Sequence, residues 1–148
     1  MKETRIDDFA TAEGWQAFAS GEAVMKVTAE AGALRLDFDF HGGGGFVVAR
    51  KEFRFAIPDD YAFAFRVRGA APQNTFEFKL ADPSGRNVWR WQEPAFAFGR
   101  QARELDLRGS RIGFAWGPAG GGTPEELGAI EFVLSAGPGG KGTVWIED

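Results

Sequence analysis

ALRLDFDFHGGGGFVVAR, Ala33 to Arg50, decides the fold. Leu34, Leu36, Phe38 and Phe40 fall on one side of an extended chain, and Arg35, Asp37 and Asp39 on the other. A period of two is that of a strand with one face in a core. Four glycines then follow His41, and Phe46-Val47-Val48 opens a second apolar run. Phosphate-cradling glycine loops lead into a helix; this one leads into a strand. It reads as a turn in which glycine supplies positive φ. His41 is the only histidine and the chain has no cysteine, so it has no partner of either type for a metal site or a catalytic pair.

The same alternation recurs along the chain. FAFRVRG (63–69) sets Phe63, Phe65 and Val67 against Arg66 and Arg68. FEFKL (76–80) sets Phe76, Phe78 and Leu80 against Glu77 and Lys79, and a turn follows at Asp82-Pro83-Ser84-Gly85. RELDL (103–107), RIGFAW (111–116), AIEFVLS (129–135) and TVWIED (143–148) continue the series. About ten short strands at this spacing predict an all-β, two-sheet antiparallel β-sandwich. Two more glycine-rich loops, WGPAGGGTP from Trp116 and AGPGGKG from Ala136, sit between strands. Besides making turns, such loops could line a ligand site, since glycine permits close backbone approach. TPEEL, Thr123 to Leu127, has a Thr cap and a Pro that predict one short helical turn.

The 148 residues suit a single domain, 1–148. With no cysteine, disulfides and thiolate chemistry are excluded. A net charge of −4, with the 17 Lys and Arg interleaved among acids, argues against nucleic acid as a partner. No apolar run reaches the roughly 20 residues of a helical membrane span. MKETRIDDFA, at the start, lacks the apolar segment of a secretory signal. The chain stops on a strand at Glu147-Asp148, which gives the expectation of a domain cut from a longer protein.

Arg66, Arg68, Glu77, Lys79 and Glu131 stand opposite core positions on their own strands. If those strands are neighbours, they pave one outer sheet face, either with cross-strand ion pairs or with groups that read sugar hydroxyls. RNVWRWQEP (86–94) bears on this choice. In an extended strand Asn87, Trp89 and Trp91 share one face, and Val88, Arg90 and Gln92 share the other. The two indoles are either core fillers or a stacking platform for sugar rings. If they are core, Arg90 and Gln92 point outward beside Lys79 and Arg66. Trp116 and Trp145 read as core, and Trp15 as a cover for one end of the sandwich.

Asp7-Asp8 and Glu147-Asp148 form acidic clusters near the two termini. Pairing of the first and last strands would bring them together as an oxygen-only site suited to Ca²⁺. No nucleophile elbow, HExxH or other catalytic motif occurs.

IDDFATAEGW (6–15), LDFDFHGGGGFVVARKEF (36–53), FRVRGAAPQNTFEFKLADPSGRNVWRW (65–91), FAWGPAGGG (114–122) and GKGTVWIED (140–148) together resemble galactose-binding-domain-like modules. These are jelly rolls of the carbohydrate-binding-module type, found at the N-terminal end of bacterial multidomain proteins that carry discoidin-like or glycoside hydrolase domains. A more distant resemblance is to family 11 carbohydrate-binding modules and the complex I intermediate-associated protein family, which share the DDF…W opening. The resemblance implies a jelly roll, a non-catalytic role on poly- or oligosaccharide, and covalently linked downstream domains. It also implies a structural Ca²⁺ between the terminal segments, at Asp7, Asp8, Glu147 and Asp148. Family 11 modules line their cleft with tyrosines, whereas this chain has one, Tyr61. The function expected is therefore non-catalytic glycan binding that tethers a catalytic domain. The alternative is a β-sandwich that packs on a neighbouring domain without binding sugar.

Overall fold

The computed structural model describes residues 3–148; Met1 and Lys2, the first two of the expected 1–148 domain, lie outside the described residues. Eleven strands follow one another: β1 (Trp15–Ala19), β2 (Val24–Glu30), β3 (Ala33–Asp39), β4 (Phe46–Ala56), β5 (Ala62–Ala70), β6 (Asn74–Ala81), β7 (Val88–Phe96), β8 (Arg103–Arg108), β9 (Gly113–Trp116), β10 (Glu126–Ser135) and β11 (Lys141–Glu147). They form a six-stranded sheet in the order β1-β4-β10-β6-β7-β9 and a five-stranded sheet in the order β2-β3-β11-β5-β8. All pairings are antiparallel. Exchange of the chain between the two sheets makes the sandwich a jelly roll, as expected.

Alternation positions every layer. Leu34, Leu36 and Phe38 of β3, Phe65 and Val67 of β5, Phe76, Phe78 and Leu80 of β6, and Phe132 and Leu134 of β10 are buried between the sheets. Phe65 crosses the gap from the five-stranded sheet. Its ring centroid lies 5.4 Å from Phe78 and 5.1 Å from Phe132. Trp89 and Trp91 belong to this core, so of the two registers left open the inward one holds. Trp15 stacks on Phe132 at 5.7 Å and closes the core at the β1 side.

The three glycine loops are connections between strands: β3 to β4, β9 to β10 and β10 to β11. At the end of the four-glycine run, Gly45 has φ +101° and its missing Cβ would lie 2.5 Å from the Ser20 hydroxyl. Glycine is required there by conformation and by space together. The last of these loops is tied down by Asn74, which is fully buried. Its side-chain oxygen accepts from Gly137 N and Gly139 N at 2.9 Å, and its amide donates to Gly139 O at 3.0 Å.

Three expectations need correction. No helical turn forms over Thr123–Leu127; Leu127 is buried and Glu126 already pairs with Ala56, so sheet pairing overrides the local capping signal. The one helical turn among the described residues is a 3-10 turn at Gly109–Arg111. Trp145 is not core: Val144 and Ile146 take the inward positions on β11, which turns Trp145 outward between Arg35 and Arg68. Trp116 is not core either. A register shift pairs Trp89 with Phe114 but Val88 with Trp116. This bulge reverses the parity of β9 and leaves Trp116 on the outer face, 48% exposed.

Asn74→Ala should lower the unfolding free energy by about 3 kcal/mol, because two buried amides lose their acceptor. Chemical denaturation checks this; a loss below about 1 kcal/mol would mean that the loop re-forms its bonds elsewhere.

Candidate binding face

The two sheets present two separate outer faces, and of the nine residues expected at a ligand site six divide between them, two enter the core and one sits in a turn. Glu77 and Lys79 of β6 and Arg90 and Gln92 of β7 point outward from the six-stranded sheet, with Glu77 opposite Gln92 and Lys79 opposite Arg90. Arg66 and Arg68 lie on β5, in the other sheet, opposite Glu147 and Trp145. The expected face built from the strands of Arg66, Glu77 and Arg90 is therefore not one surface. Trp89 and Trp91 point into the core. The Trp89 indole donates to Gly122 O at 2.8 Å, fixing the β9–β10 loop. Asn87 braces the β6–β7 turn: its amide donates to Asp82 Oδ2 at 2.7 Å and its oxygen accepts from Ala119 N at 2.8 Å. Burial pushes the Asp82 carboxyl up, but the bonds it accepts from Asn87, Ser84 and Gly85 outweigh this and hold its pKa below the usual value.

The outer face of the six-stranded sheet is built in rows, because antiparallel partners share a face. One row runs Gln16, Arg50, Glu131, Lys79, Arg90 across β1, β4, β10, β6 and β7. The next runs Phe18, Val48, Val133, Glu77, Gln92. In the middle of the face, Val133 is 1% exposed and Glu77 4%, although both point away from the core. At its margins Phe18 on β1 is 49% exposed and Trp116 on β9 48%. The face thus has a middle covered by its own side chains and exposed aromatic edges.

Its carboxylates are engaged. Arg50 Nη1 donates to Glu131 Oε2 at 2.8 Å. The Ser135 hydroxyl donates to Glu77 Oε2 at 2.7 Å, and Arg90 Nη1 lies 3.6 Å from Glu77 Oε1. Lys79 Nζ and Arg90 Cζ lie 5.0 and 5.9 Å from the centroid of the Trp116 ring. Fixed guanidinium donors, an amide with both a donor and an acceptor, and an exposed indole can together hold a hydroxylated ring. Arg50 and Trp116 were absent from the expected face, which did include Glu131. Arg50 and Glu131 are 81 positions apart in the chain, so only strand order could join them, while the bulge hides Trp116.

The four acids expected to share a Ca²⁺ are not gathered. The first strand pairs with β4 and the last with β3 and β5, in different sheets. Asp7 accepts bonds from Lys51 Nζ at 2.6 Å, Phe9 N at 2.7 Å and the Trp15 indole at 2.9 Å. Asp8 caps Ala10 N. Glu147 meets Arg68 at 3.1 Å, and Asp148 meets Arg5 at 2.6 Å. Among the described residues no group of three or more acids or histidines could hold a metal. With three of the four carboxylates held by cations of the chain and Asp8 by a backbone amide, the acids as placed do not fit a shared ion.

No family model and no curated protein matches the chain. Solved structures do. A family 11 carbohydrate-binding module of a cellulosomal cellulase from Clostridium thermocellum matches at 16% identity and TM-score 0.66, over 98% of this chain and 93% of that one. The Clostridium thermocellum family 11 module in complex with a β-1,3-1,4-mixed-linked tetrasaccharide matches at 16% identity and TM-score 0.67, over 95% and 92%. An agarase matches at 12% identity and TM-score 0.68, over 96% of this chain but 23% of the enzyme. At these identities the likeness establishes the jelly-roll fold.

The Asp7 carboxyl gives a pH test. Burial pushes it up, but the bonds from Lys51, Phe9 and Trp15 prevail and hold its pKa below the usual value. A folded pKa below the unfolded one contributes stability above the unfolded value, and that contribution is lost as pH falls through the folded value. The parent chain should therefore lose stability below about pH 4 more steeply than Asp7→Asn. Parallel acid dependences in thermal melts would contradict this. Melting midpoints that coincide with Ca²⁺ and with chelator are also expected, and a calcium-dependent rise would reveal a site built from other groups.

Proposed function

We propose that this chain is a non-catalytic carbohydrate-binding module whose saccharide lies along the outer face of the six-stranded sheet. The observation that carries the reading is the exposed Trp116 beside a row of outward Arg, Lys and Gln side chains. An indole packs on the C–H face of a sugar ring while planar polar groups read its hydroxyls. The jelly-roll likeness to family 11 modules, one of them in complex with a tetrasaccharide, supports it. Carboxylates that are each held by an arginine or a hydroxyl suit recognition better than acid–base chemistry, which needs two free acids flanking one bond.

Tethering is part of the same proposal. A linked module raises the local substrate concentration for a catalytic domain without contributing chemistry. The agarase, where the matched fold makes up 23% of the enzyme, supports such an arrangement. One observation favours the second reading, a module that packs on a neighbour: exposed Phe18 and Phe46 lie on adjacent rows at one margin.

Two tryptophan variants separate binding from folding. In affinity gels loaded with soluble polysaccharides, Trp116→Ala should abolish retardation and cost about 1–2 kcal/mol of stability, since the ring is half exposed. Trp89→Ala should cost about 3–5 kcal/mol, and its effect on binding should follow unfolding. If Trp116→Ala is retarded like the parent, the saccharide does not use this face.

A further inference from the structure

The row of charges on the binding face leaves one cation over. Four ion pairs occupy the acids of the face: Glu131 with Arg50 at 2.8 Å, Glu52 with Arg50 at 3.5 Å, Glu126 with Arg54 at 3.2 Å and Glu77 with Arg90 at 3.6 Å. Lys79 is the cation of this face that, among the described residues, has no carboxylate partner. Its register neighbour on β10 is Glu131, but that carboxylate turns to Arg50. On the other side its register neighbour is Arg90. Like charges directly opposite on paired strands repel, and here both are also drawn to one ring, that of Trp116. Glu77 answers Arg90 in part, from a buried position beneath it. Among the described residues no carboxylate answers Lys79, whose contact is the Trp116 ring.

We infer that the saccharide on this face carries an anionic substituent, a carboxylate or a sulfate, that seats between Lys79 and Arg90 beside Trp116. The inference rests on the proposed carbohydrate-binding role and names the ligand's chemical class. Guanidinium binds carboxylate or sulfate oxygens through two parallel N–H donors, and a lysine adds a point charge. An anion placed there relieves the Lys79–Arg90 repulsion, a gain that a neutral sugar does not provide. The indole then contacts the ring that bears the substituent. The chain as a whole carries −4, so the attraction is local to the face and opposes the long-range field. Binding weakens with added salt.

The test is affinity electrophoresis of the full chain through gels holding polygalacturonate, a sulfated galactan or neutral mixed-linkage β-glucan. Retardation is compared with a gel lacking polysaccharide. Affinity for one of the two acidic polymers should exceed that for the neutral glucan about tenfold, the value of one charge-assisted hydrogen bond. Whichever polymer is retained identifies the substituent. Lys79→Met keeps the aliphatic stem and should lose that preference, as should Arg90→Gln. Lys26→Met, on the outer face of the other sheet, should retain it. Equal or better binding of the neutral glucan overturns the acidic-ligand inference and leaves the carbohydrate-binding role standing. Equal losses in Lys79→Met and Lys26→Met overturn it as well, because the attraction would then be diffuse. Retention on none of the three gels overturns the inference, and the Trp116→Ala comparison on a wider glycan panel then decides the role itself.

Discussion

The structure depends on one contact across the sandwich. Phe65 reaches from the five-stranded sheet to within 5.1–5.4 Å of Phe132 and Phe78 of the six-stranded one. Edge-to-face and tilted packing of this kind adds about 0.5–1.5 kcal/mol per pair beyond the area buried. Its larger effect is on parity. Once Phe65, Phe76, Phe78 and Phe132 point inward, every second residue of β5, of β6 and of β10 beyond its bulge at residues 127–129 must point outward. The outer rows of charges are therefore a consequence of the core.

That constraint explains which parts of the structure could be read from the sequence. Strands with strict alternation, such as residues 34–39 and 76–80, show directly which side chains point into the core. The turn after Ala81 and the strand after Gly45 were equally plain, since Asp-Pro-Ser-Gly and a glycine run have few other uses. What alternation cannot give is the neighbour of each strand. Arg66 and Arg90 both point outward, as the pattern requires, yet they do so from opposite sides of the molecule. Sheet order alone separates them.

Two tryptophans show the other limit. Trp145 reads as core from the apolar run of its strand, but Val144 and Ile146 hold the inward positions there. There it lies 4.4 Å from Arg68, an arrangement in which cation–π attraction takes the place of burial. Trp116 was displaced by a single extra residue in β9. A one-residue slip moves a side chain to the opposite face, and this slip supplies the exposed indole of the proposed binding face. The acids near the termini were legible as acids but not as ion-pair partners, because Lys51 and Arg68 come from strands far away in sequence.

The proposed saccharide site is the outer face of the six-stranded sheet between Trp116 and Phe18. Amide and indole chemical shifts of the labelled chain, followed during titration with an oligosaccharide, test it most directly. Perturbations are expected at Arg50, Lys79, Arg90, Gln92, Glu131 and the Trp116 indole, with Trp145 unmoved. Perturbations centred on Trp145, Arg35 and Arg68 of the opposite sheet would contradict it.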